Sequence, residues 1–171
     1  MTAPEFSRIV DIRQADVERM QLVANDAERT ALAERFGLVR IDRLEAEVSL
    51  QRNELVVTAE GRLTADIVQS CAVSAEDLPV AIAEELHFRF VPASTDLAAD
   101  EEIEIDADDC DEIDYEGTAF DLGEALAQSL FLAIDPFLTG PEADEARQRA
   151  GITSPEDNSP FAALKGLNLK D

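Results

Sequence analysis

The sequence has few of the residues from which metal sites and disulfide frameworks are built. Among its 171 residues are one histidine, His87, and two cysteines, Cys71 and Cys110, which lie far apart. These residues do not supply the clustered ligands of a structural zinc site. We interpret the cysteines as reduced thiols of a cytoplasmic protein and His87 as a solvent-facing residue of a strand. We expect no metal and no cofactor.

Long apolar runs and the motifs of common enzyme classes are also missing. No stretch approaches the roughly 20 apolar residues that a membrane span needs, and the first residues lack the basic leader of a secretory signal. There is no P-loop, GxGxxG or GxSxG. The run EEIEIDADDCDEID lacks the glycine of a calcium-binding loop, and its carboxylates make Cys110 a poor nucleophile. We therefore predict a non-enzymatic, cytoplasmic protein without a membrane or small-molecule partner.

Positive charge is scarce and unevenly placed. Fourteen basic residues stand against 38 acidic ones, which gives a net charge of −24. Residues 63–145 contain 23 acids and one base, Arg89, and residues 96–116 contain twelve acids. Such a surface repels nucleic-acid phosphates, which are bound mainly by Lys and Arg, and it attracts basic proteins. High acidity can serve solubility alone, but its uneven placement favours a protein partner.

Residues 25–36 have the signals of an amphipathic helix. Asn25 and Glu28 stand in a capping-box arrangement, and Gly37 suits a left-handed helix end. We predict that its buried face consists of Ala27, Ala31, Leu32 and Phe36.

A second helix is predicted over residues 121–133. Asp121 can cap its first turn, with Glu124 three residues on, and the Asp135-Pro136 pair stops it. We predict that its buried face consists of Leu122, Ala125, Leu126, Ser129, Leu130 and Ala133.

Alternating apolar and polar residues predict strands. Residues 44–50 and 55–67 read as a hairpin with its turn at 51–54 and a bulge or bend at Gly61, and residues 80–92 read as a third strand. The start, EFSRIVDI, has the pattern of an edge strand. The pairs Ile103/Ile105 and Ile113/Tyr115 belong either to short strands or to an extended acidic loop.

These patterns together predict an α+β fold. We expect an antiparallel sheet of about four to six strands with the two main helices packed against it. Residues 1–140 would form a single domain, and residues 141–171 a flexible tail made of a linker, which can include one turn of helix at residues 142–150, and the terminal peptide SPFAALKGL.

The terminal stretch NSPFAALKGLNLK contains both lysines of the chain, Lys165 and Lys170. Pro160 can start a short helix, whose apolar side would consist of Phe161, Leu164 and Leu167. A helix this short is unstable alone in water. We expect it to pack either on its own domain or on a partner, with the lysines as counterions to the acidic segment or as a weak RNA contact.

Three passages occur in an order that is typical of one family. They are GRLTADIVQSCAVSAEDLPVAIAEELHFRFVP, in which a cysteine follows a long strand, FDLGEALAQSLFLAIDPF, and SPFAALKGL. Together they resemble the bacterial YceD proteins, also called large ribosomal RNA subunit accumulation proteins. The passage ALAERFGLVRID is similar to the alphaproteobacterial branch of that family.

The resemblance implies a cytoplasmic, non-enzymatic factor needed for normal accumulation of large-subunit ribosomal RNA. In many bacteria the family's gene lies beside that of a large-subunit ribosomal protein, and ribosomal proteins are basic. Two features depart from the family. Ser74 stands where many relatives have the second cysteine of a CxxC, so that only the motif position Cys71 is kept. Uncharged residues follow Asp135-Pro136 where close relatives tend to have basic ones.

The leading hypothesis is a ribosome-biogenesis factor that binds a basic ribosomal or assembly protein, and ribosomal RNA only indirectly. The predicted partner-binding residues are Asp106, Asp108, Asp109, Asp111, Glu112, Pro160, Phe161, Leu164 and Lys165. The alternative is direct RNA binding through Arg35, Arg40 and Arg43, together with Arg29, Arg52 and Arg62. An enzyme with a carboxylate-bound metal is a further alternative, ranked behind both.

Overall fold

The structure, a computed structural model, describes residues 5–93 and 111–151 of the chain. It divides into two units. The larger comprises the described residues of Met1–Gln69 and Pro79–Asp135, and the smaller comprises those of Ser70–Leu78 and Pro136–Asp171. The domain boundary predicted at residue 140 and the predicted terminal peptide, which lies outside the described residues, stay predictions.

Strands dominate the first part of the described chain and helices the last. In chain order the elements are β1 (Ile9–Asp11), a 3-10 turn (Ile12–Gln14), β2 (Val17–Val23), α1 (Asp26–Phe36), β3 (Arg40–Asn53), β4 (Val56–Ser70), β5 (Asp77–Pro92), β6 (Asp111–Tyr115), β7 (Ala119–Asp121), α2 (Leu122–Ala133) and α3 (Ala143–Arg149).

The main sheet has the strand order β2-β3-β4-β5-β6. Strand β3 pairs antiparallel with β2 and with β4, whereas β6 pairs parallel with β5. Strands β1 and β7 form a separate two-stranded antiparallel sheet. The predicted α+β class and the predicted number of strands are confirmed, with one parallel pair in a mostly antiparallel sheet.

The predicted turn of the hairpin is wrong, and so is the bulge alternative at Gly61. The turn lies at Glu54 and Leu55, because β3 continues to Asn53 and Glu54 takes the left-handed conformation at φ 55°. Gly61 forms no bulge, since it lies in regular register opposite Val48. A Cβ on Gly61 would lie 2.1 Å from the Glu47 carbonyl oxygen, so close backbone packing explains the glycine.

The other strands agree in part with the sequence patterns. The third predicted strand is confirmed as β5, the Ile113/Tyr115 alternation as β6, and the first apolar residues as β1. Strands β2 and β7 were not predicted. In β2 only Leu22 is buried, so no alternation marks it, and β7 has three residues. The pair Ile103/Ile105 lies outside the described residues.

Both predicted helices are confirmed, with changes to their buried faces. Helix α1 has the full capping box of Asn25 and Glu28 and ends at Gly37, with φ 67°. Its buried residues are Leu32 and Ala33, whereas Ala27 is exposed. In α2 the Asp121 carboxylate accepts a hydrogen bond from the Glu124 N–H, and the buried residues are Leu122, Gly123, Ala125, Leu126, Ala127 and Leu130. The predicted Ser129 and Ala133 are only partly buried.

One core cluster joins these helices to the sheet. It contains Leu32 of α1, Leu126 and Leu130 of α2, and the inward residues of the long strands, such as Leu44 and Leu63. Each of these leucines is almost fully buried, and burying one leucine side chain contributes roughly 1.5–3 kcal/mol. The core therefore holds the helices on the sheet without metal or disulfide support among the described residues.

Gly123 gives a test of how the N-terminal segment packs on α2. A Cβ at this position would lie 2.5 Å from the Phe6 carbonyl oxygen and 2.8 Å from the Arg8 nitrogen. Gly→Ala in a helix normally stabilises by up to about 1 kcal/mol. Here we expect Gly123→Ala to destabilise by about 1–3 kcal/mol through overpacking, measured by urea unfolding. Ser129→Ala on the same helix is the control and should change stability by less than about 0.5 kcal/mol. A stabilised Gly123→Ala variant would contradict the packing.

Candidate functional site

A polar network ties the N-terminal segment to the first turns of both main helices. The Arg8 guanidinium donates to both Glu28 carboxylate oxygens, at 2.7 and 3.0 Å. The Ser7 hydroxyl and the Arg8 N–H donate to the Asp121 carboxylate at 2.7 and 2.8 Å. Glu28 and Asp121 also cap α1 and α2. Each carboxylate therefore caps a helix and anchors the segment at once.

Arg35, one of the candidate RNA contacts, joins the two helices. Its guanidinium donates to both oxygens of Glu124, at 2.7 and 3.0 Å, and to Glu5 at 3.2 Å. Beside it the rings of Phe36 and Phe131 lie 5.2 Å apart. The hydrogen bond from Arg35 is the main cause that lowers the pKa of Glu124, and the bond from Arg8 lowers the pKa of Glu28 in the same way. Arg35 is thus part of the fold's own charge pairing.

Two further candidate RNA contacts, Arg40 and Arg43, are paired as well. The Arg40 Nε lies 2.9 Å from the Asp42 carboxylate. The Arg43 Nε lies 2.8 Å from Asp66 on β4, and its Nη1 lies 3.7 Å from Glu45. The structure therefore places Arg40 and Arg43 on strand β3, each beside a carboxylate that competes with any phosphate ligand.

This pairing extends across the solvent face of the sheet. Arg19 of β2 lies 2.7 Å from Glu47 of β3, Glu47 lies opposite Arg62 of β4, and Arg62 lies 3.8 Å from Glu85 of β5. Opposite charges on neighbouring strands stabilise such a face modestly. All twelve arginines lie within the described residues, and nine of them form ion pairs.

The three arginines without an ion pair among the described residues are Arg13, Arg52 and Arg149. Arg52, one of the sequence-based RNA candidates, donates to the Ile12 carbonyl at 3.3 Å. Arg29 and Arg62, the remaining candidates, pair with Asp26 and Glu85. His87 is exposed on β5, as expected.

The predicted partner-binding residues lie largely outside the described chain. Asp111 is the first residue of β6, and Glu112 is exposed on the same strand with its carboxylate 2.7 Å from Arg89. The other predicted residues lie outside the described ranges, and the structure does not test them: Asp106, Asp108, Asp109, Pro160, Phe161, Leu164 and Lys165.

Strand β6 borders an open groove of about 260 Å³. The groove is lined by residues of β6, β7 and α2, namely Ile113, Asp114, Tyr115, Ala119, Phe120, Asp121, Glu124, Ala125 and Gln128. Sequence reasoning did not identify Asp114 or Gln128 as site residues. The sequence signal that could have identified Asp114 is the alternation of Glu112 and Asp114 with Ile113 and Tyr115, because this alternation is typical of a strand with one acidic face.

The floor of this groove is formed by aromatic rings that pack against one another. The Phe120 ring stacks on Phe90 with centroids 4.0 Å apart, and the Tyr115 ring lies 6.2 Å from Phe120. The Tyr115 hydroxyl donates to the Leu55 carbonyl at 2.5 Å. Tyr115 and Phe120 line the groove and are themselves buried, whereas Asp114 is exposed. The groove therefore has an aromatic floor and an acidic rim.

Cys71, the family-motif position, lies in the smaller unit and is buried. Its Sγ accepts from the backbone N–H groups of Val73, Ser74 and Gly140 at 3.3–3.4 Å. Burial acts to raise the pKa of Cys71, but hydrogen bonds from Ser74, Gly140 and Val73 together outweigh it and lower the pKa to about 7. Hydrogen bonds to the thiolate favour the charged form.

Two further features are absent from the described residues. No group of three or more His, Cys, Asp or Glu side chains there is arranged to hold a metal ion. None of the helices in these ranges has the length and apolar character of a bilayer span.

The fold and the surface together define an acidic α+β protein in which nine of the twelve arginines pair with carboxylates of the same chain. A family model described as large ribosomal RNA subunit accumulation protein YceD matches residues 59–168. This match covers more than half of the 171 residues, and the chain belongs to the YceD family. The family's name points to a role in accumulation of large-subunit ribosomal RNA. No curated protein and no solved structure matched the chain in the other two comparisons.

The Arg35–Glu124 pair predicts a specific response to acid. The pKa of Glu124 in the folded protein lies below its ordinary value of 4.5. Its carboxylate therefore stabilises the fold above that value, and the contribution is lost as the pH falls through the folded pKa. We expect Glu124→Gln to lower stability at pH 7 by about 1 kcal/mol or less, and to reduce the loss of stability below about pH 4.5.

Thermal unfolding from pH 7 to pH 3 measures this effect. Arg35→Gln should lower stability at pH 7 at least as much as Glu124→Gln, because it removes the partner of both Glu124 and Glu5. Glu84→Gln, at an exposed position on β5, is the control and should follow the wild type. Identical pH profiles for Glu124→Gln and the wild type would contradict the assignment.

Cys71 is predicted to titrate near neutrality. In a Cys110→Ser variant, thiolate absorbance at 240 nm between pH 5 and 9 reports Cys71 alone. We expect a midpoint at about 7, below the roughly 8.5 of a free thiol. After unfolding in urea the midpoint should return to about 8.5, which is the internal control. A folded-state midpoint at or above that value would mean that the three N–H groups do not stabilise the thiolate.

Proposed function

We propose that this YceD protein supports accumulation of large-subunit ribosomal RNA by binding a basic ribosomal or assembly protein through an acidic surface. Strand β6 and the acidic residues that precede it form this surface, and the terminal peptide adds apolar contacts. The proposal places the protein in the cytoplasm with the assembling ribosome. In this mechanism RNA is protected indirectly and the protein performs no catalysis.

The observation that carries the proposal is the contrast between paired arginines and unpaired acids. Nine arginines form ion pairs with carboxylates of the same chain. Exposed acids such as Glu18, Glu60, Glu84 and Asp114 form no ion pair within the described residues. The net charge of −24 means that carboxylates greatly outnumber cations, and such an excess attracts a cationic protein and speeds its association.

Direct RNA binding is less well supported by the same contacts. To bind a phosphate, Arg35 would have to break its hydrogen bonds to both carboxylate oxygens of Glu124. Arg43 would likewise have to break its hydrogen bond to Asp66. The phosphates would also approach a strongly anionic molecule, whereas nucleic-acid affinity comes mainly from cations that replace condensed counterions.

A charge-neutralised variant tests the proposal. In the test variant the five acids of the predicted surface become amides: Asp106, Asp108, Asp109, Asp111 and Glu112. We expect at least a tenfold loss of affinity for purified basic large-subunit proteins at physiological salt, measured by biolayer interferometry. Wild-type affinity should also fall as the salt concentration rises, because exposed charges are screened.

A matched control carries the same charge change elsewhere. It converts to glutamine five exposed acids that form no ion pair in the described chain: Glu18, Glu34, Glu54, Glu60 and Glu84. This control should keep its affinity within about threefold. Equal losses in both variants would contradict a defined surface. Tight binding of the wild type to protein-free ribosomal RNA, abolished by Arg40→Ala with Arg43→Ala, would establish the RNA alternative instead.

A further inference from the structure

Strand β6 has one paired edge and, within the described ranges, one edge without a neighbouring strand. On one side it pairs parallel with β5 from Asp111 to Tyr115. On its other side no strand of the described ranges pairs with it, since it ends the main sheet. An open strand edge presents unpaired N–H and C=O groups that can accept a further strand.

The direction of the free backbone groups follows from one hydrogen bond. The Tyr115 carbonyl accepts from the Ala93 N–H at 2.9 Å, on the side of β5. In a parallel ladder alternate residues direct both backbone groups to the same side. The backbone groups of Ile113 therefore face β5 as well, and those of Glu112 and Asp114 face the open edge.

The groove described above is bordered by three residues of this strand, Ile113, Asp114 and Tyr115. Its floor, built on Phe120 and Tyr115, is apolar, and Asp114, Asp121 and Glu124 form its rim. Asp121 and Glu124 already accept internal hydrogen bonds, whereas Asp114 forms no ion pair among the described residues. A strand added beside β6 would place alternate side chains over the floor and next to Glu112 and Asp114.

We propose that the open edge of β6 and its groove bind an extended, cationic segment of a protein partner as an added strand. The backbone of Glu112 and Asp114 forms the ladder, Lys or Arg side chains of the segment lie beside their carboxylates, and alternate apolar side chains cover the groove floor. The inference rests on the proposed function, and it specifies how the basic partner is recognised.

Charge complementarity selects this occupant over the others. A second copy would bring the acids of its own β6 against these, and like charges on adjacent strands are unfavourable. Residues 94–110 of the same chain carry eight acids and no base, so they are repelled too. The opposite edge of the sheet, β2, is a poorer template because its register with β3 shifts between Val17 and Met20, and such bulges interrupt edge pairing.

Two peptides of equal charge test the backbone contribution. The first is a ten-residue peptide of alternating lysine and valine, and the second is the same sequence with alternate backbone nitrogens methylated on the edge that would pair. We expect the methylated peptide to bind the full-length chain at least tenfold more weakly by isothermal titration calorimetry. Equal affinities would overturn the inference, because they would show that charge alone attracts the peptide and that the acids merely protect the edge.

Two substitutions at one position make the same test on the protein. Asp114→Asn removes the charge and keeps the outward N–H, whereas Asp114→Pro removes both, and proline is tolerated where an edge N–H faces solvent. We expect Asp114→Pro to bind the unmethylated peptide at least fivefold more weakly than Asp114→Asn. Matching affinities for the two variants would count against an added strand.

Amide hydrogen exchange on the wild type keeps the test independent of how the proline variant folds. Adding the unmethylated peptide should slow exchange at Glu112 and Asp114, with little change at Gln21 on the β2 edge. Unchanged exchange at both β6 amides, despite binding, would overturn the inference.

The outcomes also separate this inference from the function on which it rests. Binding of basic ribosomal proteins without backbone protection at β6 leaves the proposed function standing and removes the added strand. A chain that binds neither those proteins nor the peptide contradicts both. Deleting residues 158–171 should change peptide affinity less than threefold. A tenfold gain on deletion would instead identify the chain's own terminal peptide as the occupant.

Discussion

The rest of the structure depends on how a few cations are distributed among many carboxylates. Arg8 is held by Glu28 and packs over the Phe6 ring, at 4.5 Å from its centroid. Arg35 is held by Glu124 and Glu5. These two residues connect the N-terminal segment, α1 and α2 at both ends of α1. With 38 acids against 14 bases, pairing the arginines internally leaves a large excess of carboxylates for the surface. The fold and the anionic exterior therefore have the same origin.

The features that were predictable from sequence are those encoded over a few residues. The capping box of Asn25 and Glu28 and the cap at Asp121 are local hydrogen bonds. Strands β3, β4 and β5 could be predicted because each has a long alternation of apolar and polar residues. Strand β2 was not predicted, because Leu22 is its only buried residue and the strand therefore has no apolar alternation. The parallel pairing of β6 with β5 was not predicted either. Side-chain alternation is the same in parallel and antiparallel strands, so the pattern carries no information on strand direction.

Of the candidate site, only its negative charge could be predicted from the sequence. The acidic stretch ending in β6 was evident, but the engagement of the arginines was not, since the Arg35–Glu124 pair joins residues 89 positions apart. The surroundings of Cys71 were equally hidden, because Gly140 supplies an N–H from 69 residues away. Which polar groups meet in space is decided by tertiary packing. The sequence showed which charges exist, and the structure shows which of them are already used.

The pairing of β1 with β7 has a consequence for the order of events on the translating ribosome. Ile9 pairs with Asp121, so the first strand has no partner until more than a hundred further residues have been made. At about 5–20 residues per second, this interval lasts roughly 6–22 s. During that time Val10 lacks Phe120, its partner in the strand pair, and Phe6 lacks Gly123, which packs against its carbonyl oxygen. The N-terminus thus enters the fold late in synthesis, together with the start of α2.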